Sequence, residues 1–139
     1  MKINDLITEG KETKFDFGQM MKDFLPLAMD ILDVQVLPKI KLEINVKDEV
    51  QPTFGRFVSD KNIIHLAIEN RHPVDIARTL AHELVHFKQG QLNQLDINSG
   101  DTGSPEENQA HAIAGVIMRE FNKNFPNWLK SQPLNFSDK

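Results

Sequence analysis

Pro73-Val-Asp-Ile-Ala-Arg-Thr-Leu-Ala-His-Glu-Leu-Val-His-Phe-Lys-Gln89 reads as one helix. Proline stands at its first position, where a missing N–H costs nothing, and Asp75 sits in the first turn against the positive end of the helix dipole. Ile76, Ala77, Leu80, Ala81, Leu84 and Val85 recur at 3–4 spacing as an apolar stripe. Lys88 falls in the last turn, and Gly90 just beyond it predicts the stop. A second stripe is polar: Asp75, Thr79, His82, His86 and Gln89. Residues four apart share a helix face, so His82 and His86 present two imidazoles side by side, away from the core stripe. Such a pair can hold one zinc ion, with Glu83 placed to activate a water on that zinc.

Around this helix the chain alternates punctuation and pattern. Residues 1–15 are polar and mixed in charge and read as an arm. From Phe17 to Asp33 the apolar residues Phe17, Met20, Met21, Phe24, Leu25, Leu27, Ala28, Ile31 and Leu32 keep helical spacing, with Pro26 expected to kink or divide the helix. Lys39 to Lys47 alternates strictly, with Ile40, Leu42, Ile44 and Val46 on one side, as a half-buried strand does. Thr53 to Ser59 reads as a second strand with Gly55 as a bulge, Ser59 to Asn62 as a hairpin turn, and Asn62 to Ile68 as a third strand leading into the motif helix. Gln91 to Gly103 is a long polar loop, with Leu92, Leu95 and Ile97 as its apolar anchors. Ser104-Pro105-Glu106-Glu107 opens another helix with a serine cap and a proline at the first position. That helix runs to about Asn124 and buries Ala110, Ala114, Ile117, Met118 and Phe121; residues 126–139 form a tail whose early part packs back.

The whole-chain numbers narrow the function classes. A length of 139 residues suits one domain with a real core. The net charge of −4 comes without a basic cluster, which argues against a nucleic-acid partner. There are no cysteines, which excludes disulfides and thiolate zinc ligands and fits a reducing compartment. No run of signal-peptide or membrane-spanning length is present, so the expectation is a cytoplasmic protein with no membrane partner.

A catalytic zinc takes three protein ligands and leaves a position open. The extension H-E-x-x-H-x-x-G-x-x-H fails here, because Gln89 stands in the place of its glycine and Leu92 in that of its third histidine. The other common solution takes a glutamate from a second helix, and the helix that starts after Ser104 opens with two, Glu106 and Glu107. Glu107 also completes a Ser-x-x-Glu capping box with Ser104, which by itself accounts for a glutamate there.

H-E-x-x-H followed after a loop by E-x-x-A, here Glu107 to Ala110, resembles the gluzincin metallopeptidases. Their small stand-alone members, the minigluzincins and the ImmA/IrrE-type peptidases, are most similar, over about Lys39 to Phe121. The resemblance implies an α+β zincin-like domain: an N-terminal helix, a three-stranded and mainly antiparallel sheet with an edge strand, the motif helix and a glutamate-bearing helix. It implies one zinc held by His82, His86 and Glu107, with Glu83 as general base and an extended peptide or protein as substrate, paired to Asn62–Ile68 as the edge. Relatives commonly carry Asp or Asn four residues after the glutamate ligand. His111 stands there instead, as an orienting partner, a catalytic group or a replacement ligand. The chain has no tyrosine, so the phenolic group of some relatives would have to be replaced by His111, His65, His72, Arg119 or the edge backbone. Two other readings stand beside the peptidase. One is a zinc-containing interaction module with little turnover, and the other a metal-free binding or structural protein.

Overall fold

The computed structural model describes residues 17–43, 54–69, 71–92 and 104–130. In chain order these form helix α1 (Phe17–Leu32), strands β1 (Lys39–Glu43), β2 (Gly55–Val58) and β3 (Ile63–Ala67), helices α2 (Pro73–Gln91) and α3 (Pro105–Asn124), and a short 3₁₀ helix (Pro126–Lys130). The expected arm at 1–15, the second half of the first strand, most of the 91–103 loop and the end of the tail lie outside the described residues.

The architecture is α+β, and two expectations about the sheet are corrected. The strand order is β1-β3-β2, so β3 is the central strand and Asn62–Ile68 is not an edge. β1 pairs with β3 in parallel and β2 pairs with β3 antiparallel, which makes the sheet mixed rather than mainly antiparallel. The reason lies in the two connections. Ser59 to Asn62 is a tight turn closed by Asn62 N–H donating to Ser59 O at 3.3 Å, with Asn62 in the left-handed region at φ 56°, and a tight turn yields an antiparallel neighbour. β1 then takes the other flank of β3.

Cross-strand register sorts the two faces. Ile40, Leu42, Gly55, Phe57, Ile64 and Leu66 lie on the helix-facing side, while Lys41, Glu43, Arg56 and His65 lie on the other. Ile40, Ile64 and Leu66 join Met20, Met21, Phe24, Ile76, Leu80, Leu84, Ile117 and Phe121 in one buried core. Phe24 of α1 meets Phe121 of α3 edge to face at 5.2 Å between ring centres, a geometry that suits the aromatic quadrupole.

Pro26 does not divide α1. It sits on the exposed side, so the carbonyl it leaves without a helical partner, that of Lys22, also lies on an exposed turn. The helix ends with Asp33 at φ 56°, while Val34 N–H donates to Met29 O at 3.0 Å and Asp33 N–H to Asp30 O at 3.3 Å, the paired bonds of a Schellman stop. α2 runs through Gly90, contrary to the expected stop. Leu92 N–H turns back to the carbonyls of Lys88 and Gln89, so no left-handed residue is needed. Leu92 itself is exposed. The early tail does pack back: Trp128 Nε1–H donates to Asp23 Oδ2 of α1 at 3.1 Å.

Candidate metal centre

α2 and α3 bring the polar residues of the motif together. α2 is started by His72, whose Nδ1 accepts from Val74 N–H at 3.1 Å, and α3 by Ser104, whose Oγ accepts from Glu107 N–H at 3.1 Å. The apolar stripe of α2 packs inward, and α3 lies along its polar stripe. His86 and Gln89 are consequently buried although they belong to the polar side.

The Glu107 carboxylate reaches both motif histidines. Its Oε1 lies 2.5 Å from His82 Nε2 and its Oε2 lies 3.1 Å from His86 Nε2. The two imidazole rings are 5.0 Å apart, centre to centre. Glu106, the rival carboxylate, contributes its backbone carbonyl to Gln89 instead. His111, one turn after Glu107, places its Nε2 3.7 Å from Glu107 Oε1 and its ring 4.7 Å from that of His82, yet its side chain is 72% exposed. His82, Glu107 and His111 thus offer donor atoms within 4.8 Å of one another. His65 and His72 are occupied elsewhere: His65 Nδ1 pairs with Glu43 Oε2 at 3.1 Å, and His72 is the cap described above. Arg119 is exposed on α3.

The donor chemistry is that of a zinc site, although the group whose donor atoms all lie within 4.8 Å of one another is His82, Glu107 and His111, without His86. Two imidazole nitrogens and one carboxylate oxygen are zinc donors, and bonds of about 2.0–2.1 Å in a tetrahedron hold neighbouring donors roughly 3.3 Å apart. The two histidines meet different oxygens of the Glu107 carboxylate, so a single ion held by all three requires these side chains to shift. Burial, ahead of an opposing pull from Glu107, lowers the pKa of His82, with His86 and His111 adding to the lowering. The neutral imidazole that ligation requires is therefore favoured.

Glu83 lies against the sheet, 9% exposed. Burial pushes its carboxyl up to about 7, opposed by His86, reinforced by Glu107 and moderated by the Phe57 backbone N–H that donates to it. A carboxyl poised near 7 can take and return a proton at neutral pH.

Gly55 permits this approach. It lies on the helix-facing side of β2, and a Cβ there would fall 2.5 Å from Thr79 Cγ2 and 3.5 Å from Glu83 Cγ. Thr79 cannot turn away freely: its Oγ1 donates to Asp75 O at 3.1 Å and accepts from Arg71 at 2.7 Å. Gly55 is thus a site of close strand–helix approach rather than a bulge, since its pairing with Leu66 is in register.

Two participants escaped the reading of the sequence. Gln89 was visible only as a member of the polar stripe, although its place one turn beyond His86 was a signal. The Phe57 N–H carried none, because a backbone donor has no letter of its own.

Compared with known protein families, with characterised proteins and with solved structures, the chain matches none.

Proposed function

We propose that this chain is a zinc-dependent peptidase of gluzincin type, hydrolysing peptide bonds of an extended peptide or protein. The observation that carries this reading is the Glu107 carboxylate, delivered by a second helix to His82 and His86 together, with Glu83 flanking them at a raised pKa. His82, His86 and Glu107 would hold the ion. A zinc there would supply Lewis acidity, polarising a carbonyl and making water acidic near neutral pH. Glu83 takes the proton from the attacking water and passes it to the leaving amine, and its burial beside Phe57 holds the carboxylate in place for both transfers. β2 is the sheet edge beside Glu83, so in this reading the extended peptide runs along β2 and not along the fully paired β3. The compartment we assign is the cytoplasm, which a cysteine-free chain fits; among the described residues no helix is long and apolar enough to cross a membrane.

The test is digestion of a peptide library by zinc-loaded wild type and by Glu83→Gln. The expected result is cleavage within peptides by wild type and a loss of about 10²- to 10⁴-fold in the variant. No cleavage by wild type, or equal cleavage by both, would overturn the reading. One observation favours the runner-up, a zinc-containing interaction module with little turnover: His111 is close enough to Glu107 and His82 to serve as a fourth donor. Four protein ligands would leave no open position, and biological activity would then survive Glu83→Gln.

A further inference from the structure

Gln89 is the most deeply buried polar residue beside the histidines, at 1% exposure. Its Oε1 lies 2.7 Å from His86 Nδ1, and its Nε2 donates to Glu106 O at 2.9 Å and to Gln109 Oε1 at 2.7 Å. A backbone carbonyl can only accept, so the amide nitrogen must face Glu106 and the amide oxygen must face His86. Turning the amide over would set its oxygen against the Glu106 carbonyl oxygen. The Gln89 oxygen can only accept, so Nδ1 is the ring nitrogen that carries hydrogen. His86 Nε2, 3.1 Å from Glu107 Oε2, is then the nitrogen turned toward the carboxylate and the one a metal ion there would take.

The same amide has a second consequence. Glu106 and Gln109 flank Glu107 on the first turns of α3. Gln89 therefore links the His86 ring on α2 to the turn of α3 that carries the third donor, with both amide hydrogens and the amide oxygen engaged.

We propose that Gln89 is the positioning residue of the centre. It holds the hydrogen on His86 Nδ1, so that Nε2 is the nitrogen turned toward Glu107 and His82, and it sets that ring against the first turn of α3. The consequence for zinc rests on the peptidase reading above; the tautomer does not.

Two measurements test this. The first needs no metal: ¹⁵N chemical shifts of the His86 ring in metal-free protein. Wild type should show a protonated, pyrrole-type Nδ1, and Gln89→Leu should shift part of the population to an unprotonated Nδ1. A pyridine-type Nδ1 in wild type overturns the proposal, whether or not the leucine variant folds. The second is zinc affinity, by competition with a chromophoric chelator, for wild type, Gln89→Leu, Gln89→Glu and His86→Ala, each checked for fold by circular dichroism. Gln89→Leu should bind about 10- to 100-fold more weakly. Gln89→Glu, which keeps an oxygen facing Nδ1 but loses both donors to α3 and sets an oxygen against the Glu106 carbonyl, should fall between wild type and Gln89→Leu. Leucine and wild-type affinities that coincide refute the positioning role. Wild type binding no more tightly than His86→Ala would instead sink the zinc reading, leaving the ¹⁵N result to decide on Gln89.

Discussion

Replacing Glu83 with glutamine should shift the stability of the metal-free protein in the variant's favour as pH rises. The unfolded chain releases the Glu83 proton near 4.5, while the folded chain keeps it to about 7. Between those values the native state binds more protons than the unfolded state, so stability falls as pH rises through the window and levels off above it. A carboxyl lifted that far sets about 3 kcal/mol against its ionised form, at roughly 1.4 kcal/mol for each tenfold change. By pH 5 the unfolded carboxyl is already mostly ionised, so about 2–3 kcal/mol of the penalty accrues between pH 5 and pH 8. Glutamine keeps an oxygen for the Phe57 N–H and has no proton to lose. Its extra N–H₂ can cost about 1–3 kcal/mol if buried without an acceptor, but that cost is the same at both pH values. The diagnostic quantity is therefore the change in the stability difference between pH 5 and pH 8, read by urea denaturation of wild type and Glu83→Gln in the presence of chelator. It should move by about 2–3 kcal/mol in favour of the variant. A difference that does not move with pH, or moves the other way, refutes the account of Glu83 as a buried, proton-holding carboxyl.

Other outcomes follow from the packing. Gly55→Ala should lose about 1–3 kcal/mol of stability, because its new methyl meets the pinned Thr79 Cγ2; Thr79→Ser, which removes that methyl and keeps the hydroxyl, should return most of the loss in a double-mutant cycle by urea denaturation. Phe121→Ala should cost about 3–5 kcal/mol, since the ring is fully buried against Phe24; a smaller shift of the urea midpoint would mean that α1 and α3 do not share one core. Adding zinc at about a hundred times its dissociation constant should stabilise wild type by about 2.7 kcal/mol, seen as a higher melting temperature that chelator reverses and that His82→Ala lacks.

Much of the fold was legible because its signals are local. The helical spacing from Phe17 to Leu32, the Ser104-Pro105 start and the strict alternation after Lys39 each depend on residues within a turn or a strand, and each produced its element. Strand order is different. Nothing in Ile63–Ala67 says whether it has one neighbour or two, because Ile64 and Leu66 would face the core in either place. The placement of β3 at the centre follows from how β1 returns to it. The centre itself divides in the same way. His82, Glu83 and His86 share one helix and announce themselves by spacing, whereas choosing between Glu106 and Glu107 requires knowing how α3 is rotated against α2. The structure turns Glu107 toward the histidines and leaves the Glu106 carbonyl to Gln89. Helical phase relative to a distant partner is a tertiary quantity, set by Ala110, Ala114 and Ile117 packing inward. Gly55 was noticed for the wrong reason: its missing side chain serves a neighbour on α2, which a strand pattern alone does not reveal.

The central claim is that His82, His86 and Glu107 form a zinc centre, and the most direct test is the zinc content of untagged protein purified without chelator. Elemental analysis should find about one zinc per chain in wild type, and almost none in His86→Ala and Glu107→Gln prepared alongside. A wild type without zinc even after the metal is added back, or variants that retain as much as wild type, would contradict it.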